Sequence, residues 1–245
     1  MSLIVQKFGG SSVADADKIR NVCNIIADTK AQGHRVVVVL SAQGDTTDDL
    51  ITKMDEITER ASLREKDMLL SAGEQISVSL AAMCMESMGY PAVSLTGWQA
   101  GIRTTSQHTD AAICTINHSL IDHYLSMDMV VFVAGFQGID DKGNITTLGR
   151  GGSDTTAVAL AAWLNADMCQ IYTDVDGVYT ADPRVHQDAK KMDEISYDEM
   201  LALIDNGAQV LHKKSVLTAK QHSVPVEVLS SFQRIPGTMV CELKK

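Results

Sequence analysis

The residues best suited to chemistry come in short clusters. "KFGGSSV" (Lys7–Val13) sets an amine before two glycines and two serines. Gly9 and Gly10 let a backbone approach a ligand closely. Ser11 and Ser12 can cap a helix beginning near Ala14, whose first amides and positive dipole end suit an anion. Lys7 adds a compact point charge. This is the chemistry of a phosphate cradle, although a glycine turn with a solvated lysine explains the same letters.

A second cluster, "TTLGRGGSDTTA" (Thr146–Ala157), sets Arg150 among Gly149, Gly151 and Gly152, and Ser153 or Asp154 then begins an Ala-rich helix. The arginine suits a carboxylate or a phosphate. Asp154 reads either as an N-cap or as a carboxylate facing a ligand. A third, "YTDVDGVYTADPR" (Tyr172–Arg184), follows an apolar run and offers Thr173, Asp174, Tyr179 and Arg184. Its aspartates lack the spacing and closing Glu of a calcium loop, and a nucleotide fits better. Two smaller stretches are "LSAQGDTTDDL", with Ser41, Thr46 and Thr47, and "LLSAGEQISVSL", with Glu74. Taken alone, Glu74 reads most simply as an exposed-face residue.

Other designs are excluded. "GIDDKGN" puts Asn144 and Ile145 where a P-loop needs Lys and Ser/Thr. "GRGGSD" does not complete a dinucleotide fingerprint, and the protein-kinase motifs are missing. The seven histidines and five cysteines form no HExxH or CxxC pattern, so no metal site is expected. The cysteines read as buried, reduced thiols of a cytoplasmic protein. A net charge of -10 and 4% aromatics disfavour nucleic acid and anionic lipid as partners. No charged start followed by an apolar stretch marks a signal peptide, and no uninterrupted apolar run reaches the ~18 residues of a membrane span.

The elements that must hold these clusters alternate. Apolar, β-branched runs at Leu3–Gln6, Arg35–Leu40, Ala92–Leu95, Met129–Ala134, Cys169–Thr173 and Val224–Leu229 predict strands. Helical periodicity covers Asp15–Gln32, Thr47–Ala61, Lys66–Met88, Asp110–Ser126, Ser153–Leu164, Ser196–Asp205 and Lys213–His222. Alternation predicts a three-layer α/β/α sandwich around a mainly parallel sheet, and "VVVVL" reads as a strand covered on both faces. Gly138–Leu148 reads as a hairpin and Asp182–Arg184 as a turn. With no linker or repeat, residues 1–245 are expected to form one domain of two lobes.

In this order, the five stretches resemble the catalytic domain of aspartokinases, in the amino-acid kinase superfamily. Lys7–Val13 matches the opening signature, "TTLGRGGSDTTA" and "YTDVDGVYTADPR" match two further runs, and "SSFQRIPGTMV" resembles the closing segment. The resemblance implies a roughly eight-stranded sheet and transfer of the γ-phosphoryl group of ATP to the β-carboxylate of L-aspartate. It implies the amino acid in the N-terminal lobe, ATP in the C-terminal lobe from about residue 166, Mg2+ carried on the phosphates, and a cytoplasmic homodimer. By matching position, Lys7 would neutralise the transferring group with Gly9, Gly10 and Ser11. Asp154 would orient Lys7. Ser41, Thr47, Glu74, Phe136, Arg150 and Ser153 would hold aspartate, with Glu74 on its ammonium and Arg150 on its carboxylate. Thr173, Asp174, Tyr179 and Arg184 would contact ATP.

Two departures stand out. Gln209 occupies the place of a family lysine that contacts the nucleotide. If a helix ran on from Gln209, Lys213 would share its face and could replace the missing charge. Nothing after the closing segment reads as the paired ACT regulatory regions of many relatives. Two rival readings remain at this point: a kinase for glutamate, N-acetylglutamate, carbamate or UMP, or a non-catalytic ligand-binding subunit.

Overall fold

The computed structural model describes residues 1–243 apart from Asp182, Arg184 and Gln187. The turn expected at Asp182–Arg184 and the ATP contact assigned to Arg184 lie outside the described residues. In chain order the elements are β1 (Leu3–Phe8), α1 (Ala16–Ala31), β2 (Arg35–Leu40), α2 (Thr46–Ile57), α3 (Leu63–Leu70), α4 (Ala72–Ser87) and β3 (Ala92–Leu95). Next come β4 (Ile102–Thr104), β5 (Ile113–Ile116), α5 (Ser119–Ser126), β6 (Val130–Ala134), β7 (Gln137–Ile139) and β8 (Ile145–Thr147). The chain continues through α6 (Gly152–Trp163), β9 (Met168–Thr173), β10 (Glu194–Ser196), α7 (Tyr197–Asp205), α8 (Lys213–His222), β11 (Val226–Ser230) and β12 (Thr238–Cys241).

Eight strands form the main sheet in the order β10-β12-β11-β9-β1-β2-β6-β3, parallel throughout except where β11 meets β12. Leu3 and Val5 of β1 point to the face covered by α5, α6, α7 and α8. Phe8 points to the opposite face, under α1 and α4. Each fully buried aliphatic side chain in β2 and β6 contributes about 1.5–3 kcal/mol, so these strands anchor the molecule. The expected α/β/α sandwich is therefore present. The hairpin expected at Gly138–Leu148 forms as β7 and β8, within a second, four-stranded sheet ordered β5-β4-β7-β8.

That second sheet corrects the helix expected over Asp110–Ser126. Only Ser119–Ser126 is helical, and Ile113–Ile116 pairs antiparallel with β4. Ile113 and Ile116 stand three apart, which imitates a helical stripe over a segment too short to separate the two periods. α3 and α4, divided at Ser71, make up one stretch, Leu63–Ser87, that matches a bilayer-crossing helix in length and composition; half of its most apolar window is buried inside the molecule. The cysteines are less uniform than expected: Cys23 and Cys169 are buried, Cys84 and Cys241 half-buried, and Cys114 exposed.

Candidate active site

The carboxyl ends of β9, β1, β2 and β6 lie side by side along one edge of the main sheet, as their parallel pairing requires. Open α/β sheets bind ligands at this edge. It gathers Lys7 in the last residues of β1 with Gly9 and Gly10 after it, Ser41 after β2, Phe136 after β6, and Thr173 at the end of β9 with Asp174 after it.

Lys7 alternates with Val5 along β1 and so points toward α6. There its Nζ lies 2.6 Å from Oδ1 of Asp154, an ion pair without good hydrogen-bond alignment. Both side chains are largely buried. The next residues form a tight 3-10 turn, Gly10–Ser12, and the amides of Gly10 and Ser11, at its head, have no carbonyl behind them to bond. A side chain at Gly10 would bring Cβ to 2.8 Å from the Ala42 carbonyl oxygen, so the turn needs glycine to lie this close to the end of β2. The serines do not cap the following helix. Asp15 does, accepting from the Lys18 amide at 2.9 Å. Ser12 is buried and donates to Ser231 Oγ at 2.8 Å, while Ser231 donates to the Thr173 carbonyl, so the turn is tied to the end of β9.

On the other side of the turn, Glu74 is not the exposed-face residue its helix suggests when read alone. It is 3% exposed. Its Oε1 accepts from the Ala42 amide at 3.1 Å, and its Oε2 is buried without a partner among the described residues. Burial, only partly offset by that backbone hydrogen bond, pushes its pKa up to about 8. An unpaired buried carboxylate oxygen is a receptor for a cationic group. Thr47 lies in the first turn of α2 and is half-buried, close in sequence to Ala42.

α6 supplies the rest. Gly149 and Gly151 both take positive φ, +75° and +68°, turning the chain sharply around Arg150. Gly151, not Asp154, is the N-cap, and it provides no side-chain cap, so the helix presents uncapped first-turn amides. Asp154 is thus free to serve Lys7. Ser153 is buried beside Gly135: a Cβ there would lie 2.8 Å from its Oγ. Phe136, at φ +70°, packs its ring on Gly152. Arg150 is exposed and pairs with no carboxylate among the described residues.

At β9, Thr173 Oγ1 donates to Asp174, and the Tyr179 hydroxyl donates to Asp176 at 3.0 Å. Lys191 lies 3.6 Å from Asp176, bracing the loop from its far side. Gln209 is exposed in the loop between α7 and α8 and makes no hydrogen bond among the described residues. α8 begins only at Lys213, so Gln209 and Lys213 share no helical face, and Lys213 pairs with Asp205 at 2.5 Å. The replacement of a missing charge by Lys213 is not supported. Instead this loop places His212, which the sequence reading passed over, against Gly151, where no side chain could fit. Gln43, likewise passed over, ties the β2 end to the close of the glycine turn by donating to the Val13 carbonyl at 2.8 Å.

Among the described residues, the edge therefore presents a cation, two turns with unbonded amides, a guanidinium with no carboxylate partner and an unpaired carboxyl oxygen. The family model described as "Amino acid kinase family" matches residues 2–230. The chain belongs to the amino acid kinase family. Among individual members it is 54% identical over 242 residues, 99% of its length, to the aspartokinase of Geobacillus stearothermophilus. It superimposes on the crystal structure of aspartate kinase from Synechocystis with a TM-score of 0.88 at 46% identity, and on E. coli aspartokinase III in complex with aspartate and ADP with 0.88 at 30%, each across 99% of this chain. It spans 60%, 40% and 65% of those three proteins, respectively.

Proposed function

We propose that the chain transfers the γ-phosphoryl group of ATP to the β-carboxylate of L-aspartate. The observation that carries this reading is the buried Oε2 of Glu74, unpartnered among the described residues, at the Ala42 backbone against which the glycine turn after Lys7 also packs. A site for a free amino acid needs an ammonium receptor near a phosphoryl-transfer centre, and this arrangement supplies both. The similarity to an aspartokinase solved with aspartate and ADP supports the choice of ligands.

In this reading Glu74 takes the substrate ammonium, and Arg150 takes its α-carboxylate as a bidentate pair. Thr47, Ser41 and Ser153 add hydrogen bonds, and Phe136 walls the pocket. The β-carboxylate then faces the glycine turn. Its oxygen attacks the γ-phosphorus in line as the bond to the ADP oxygen breaks, with no covalent enzyme intermediate. Lys7, held by Asp154, and the amides of Gly10 and Ser11 offset charge on the phosphoryl oxygens, while Gly9, its amide on the Tyr172 carbonyl, keeps the backbone open beside Lys7; positioning and electrostatics are the main levers in such transfers. ATP extends over Thr173, Asp174 and Tyr179, with Arg184 and Gln209 as further contacts in the half from about residue 166. No group of three or more His, Cys, Asp or Glu converges among the described residues. Mg2+ therefore fits as an ion carried on the nucleotide phosphates, where it would neutralise charge; it keeps most of its waters in such sites. As parts of the same proposal, residues 1–245 act as one catalytic domain in a cytoplasmic homodimer, without membrane or nucleic-acid partners, in lysine, threonine and methionine biosynthesis.

The test is ADP release with ATP and Mg2+ against a panel of amino acids, with hydroxylamine trapping the acyl phosphate. Aspartate should far exceed glutamate, because one extra methylene misplaces the reacting carboxylate. Equal rates on both would overturn the assignment.

A further inference from the structure

One buried carboxylate has no part in the chemistry above. Asp67 on α3 is 0% exposed, and none of its hydrogen bonds among the described residues is to Lys7 or Asp154. It accepts from three places at once: Thr147 Oγ1 of β8 at 2.6 Å, the Thr109 amide at 3.1 Å to both oxygens, and His108 Nδ1 at 2.7 Å. Burying a charge is costly, and a set of hydrogen bonds this complete adds little stability over a well-packed apolar side chain. What it provides is geometry.

That geometry points at Arg150. Thr109 is held at φ +65°, a conformation rare for a β-branched residue. Its carbonyl oxygen, and Oδ1 of Asp110, lie 3.1 and 3.0 Å from where a Cβ on Gly149 would stand. Ala111 donates to the Thr147 carbonyl at 2.9 Å, closing the corner onto β8 two residues before Gly149. The His212 ring blocks the turn from its other end, at Gly151. The Gly149–Gly151 turn is thus gripped at both ends, and Asp67 sets one grip.

We infer that Asp67 is a positioning residue that fixes the corner at residues 108–111 and, through it and Thr147, aims Arg150 at the substrate. This rests on the reading that Arg150 receives the substrate α-carboxylate. Asp67→Asn keeps the shape but weakens acceptance from three donors. Thr147→Val removes one donor with little change in volume, and Thr147→Ser restores it.

The experiment measures steady-state kinetics of the purified variants for both substrates, together with amide hydrogen exchange of the unliganded protein. Asp67→Asn and Thr147→Val should raise the KM for aspartate about tenfold or more while leaving that for ATP within about twofold, and Thr147→Ser should stay near wild type. Exchange at residues 108–111 and 149–152 should quicken in the first two variants, with α1 and α4 unchanged. Equal changes in both KM values, or unchanged exchange at 149–152, would overturn the inference. If Asp67→Asn does not fold, Thr147→Val and its rescue by serine decide alone. If the wild type does not phosphorylate aspartate, the reading of the reaction fails, and the exchange pattern still judges the role of Asp67.

Discussion

Lys7 and Glu74 are two buried ionisable side chains with opposite needs. Lys7 already has its partner in Asp154, so its ammonium is held in place before any nucleotide arrives. Removing it deletes a preorganised electrostatic contact. Lys7→Ala should lower kcat by about 10²–10³-fold with a folded circular-dichroism spectrum; a normal kcat would refute the role. Glu74 lacks a partner on one oxygen, and burial raises its pKa to about 8. Unliganded, it therefore holds a proton at neutral pH, and in the proposed reading the substrate ammonium ionises it. Aspartate binding should release up to one proton at pH 7 and tighten as pH rises toward about 8. Calorimetry in buffers of different ionisation enthalpy reads this directly, and Glu74→Gln should abolish the release. The same group sets a stability trend. Glu74 holds its proton more tightly folded than unfolded, so its contribution is complete below pH 4.5 and is lost as pH rises through about 8. The unliganded wild type should lose Tm across that interval relative to Glu74→Gln.

The elements show why some of this was readable from the sequence and some was not. β2, β3 and α8 occur at the residues expected, β2 because an unbroken β-branched run leaves one solution. β4, β10 and β12, three or four residues each, carry too few side chains to show a period and went unread. The glycine-rich runs marked the two tight turns at helix starts, yet not which residue caps which helix. Ser12 turns toward Ser231, a partner distant in sequence, and Asp15 takes the cap. The burial of Glu74 depends on how α4 meets Ala42, which no local pattern encodes. Gly10 marks the tightest such meeting. Gly10→Ala forces its Cβ to 2.8 Å from the Ala42 carbonyl oxygen, against backbone that cannot swing aside. The expected cost is about 1–3 kcal/mol in denaturant unfolding, with a raised KM for ATP; an unchanged midpoint would mean the turn relaxes freely.

At the scale of the whole molecule, β1 is the second sheet strand from neither edge but an inner one, flanked by β2 and β9. Its two neighbours differ in origin: β2 follows it closely in the chain, whereas β9 arrives much later. Ser12 waits still longer, since Ser231 lies 219 residues away. On the ribosome, then, the turn at Gly9–Ser12 is made long before the segments that brace it. A nascent chain that has emerged only through α5 holds Lys7 without Asp154, and the turn without the hydroxyl that anchors it. Contacts this distant along the chain form slowly. Pulse-labelled exchange during refolding should protect the β1–β2 ladder before the Gly9 amide, which bonds the Tyr172 carbonyl; simultaneous protection would mean the sheet closes in one step. In the proposed reading, a polypeptide made only through α5 would carry the glycines and serines of the turn and still be unable to cradle a phosphate, because the strand and hydroxyl that brace the turn come so much later in the chain.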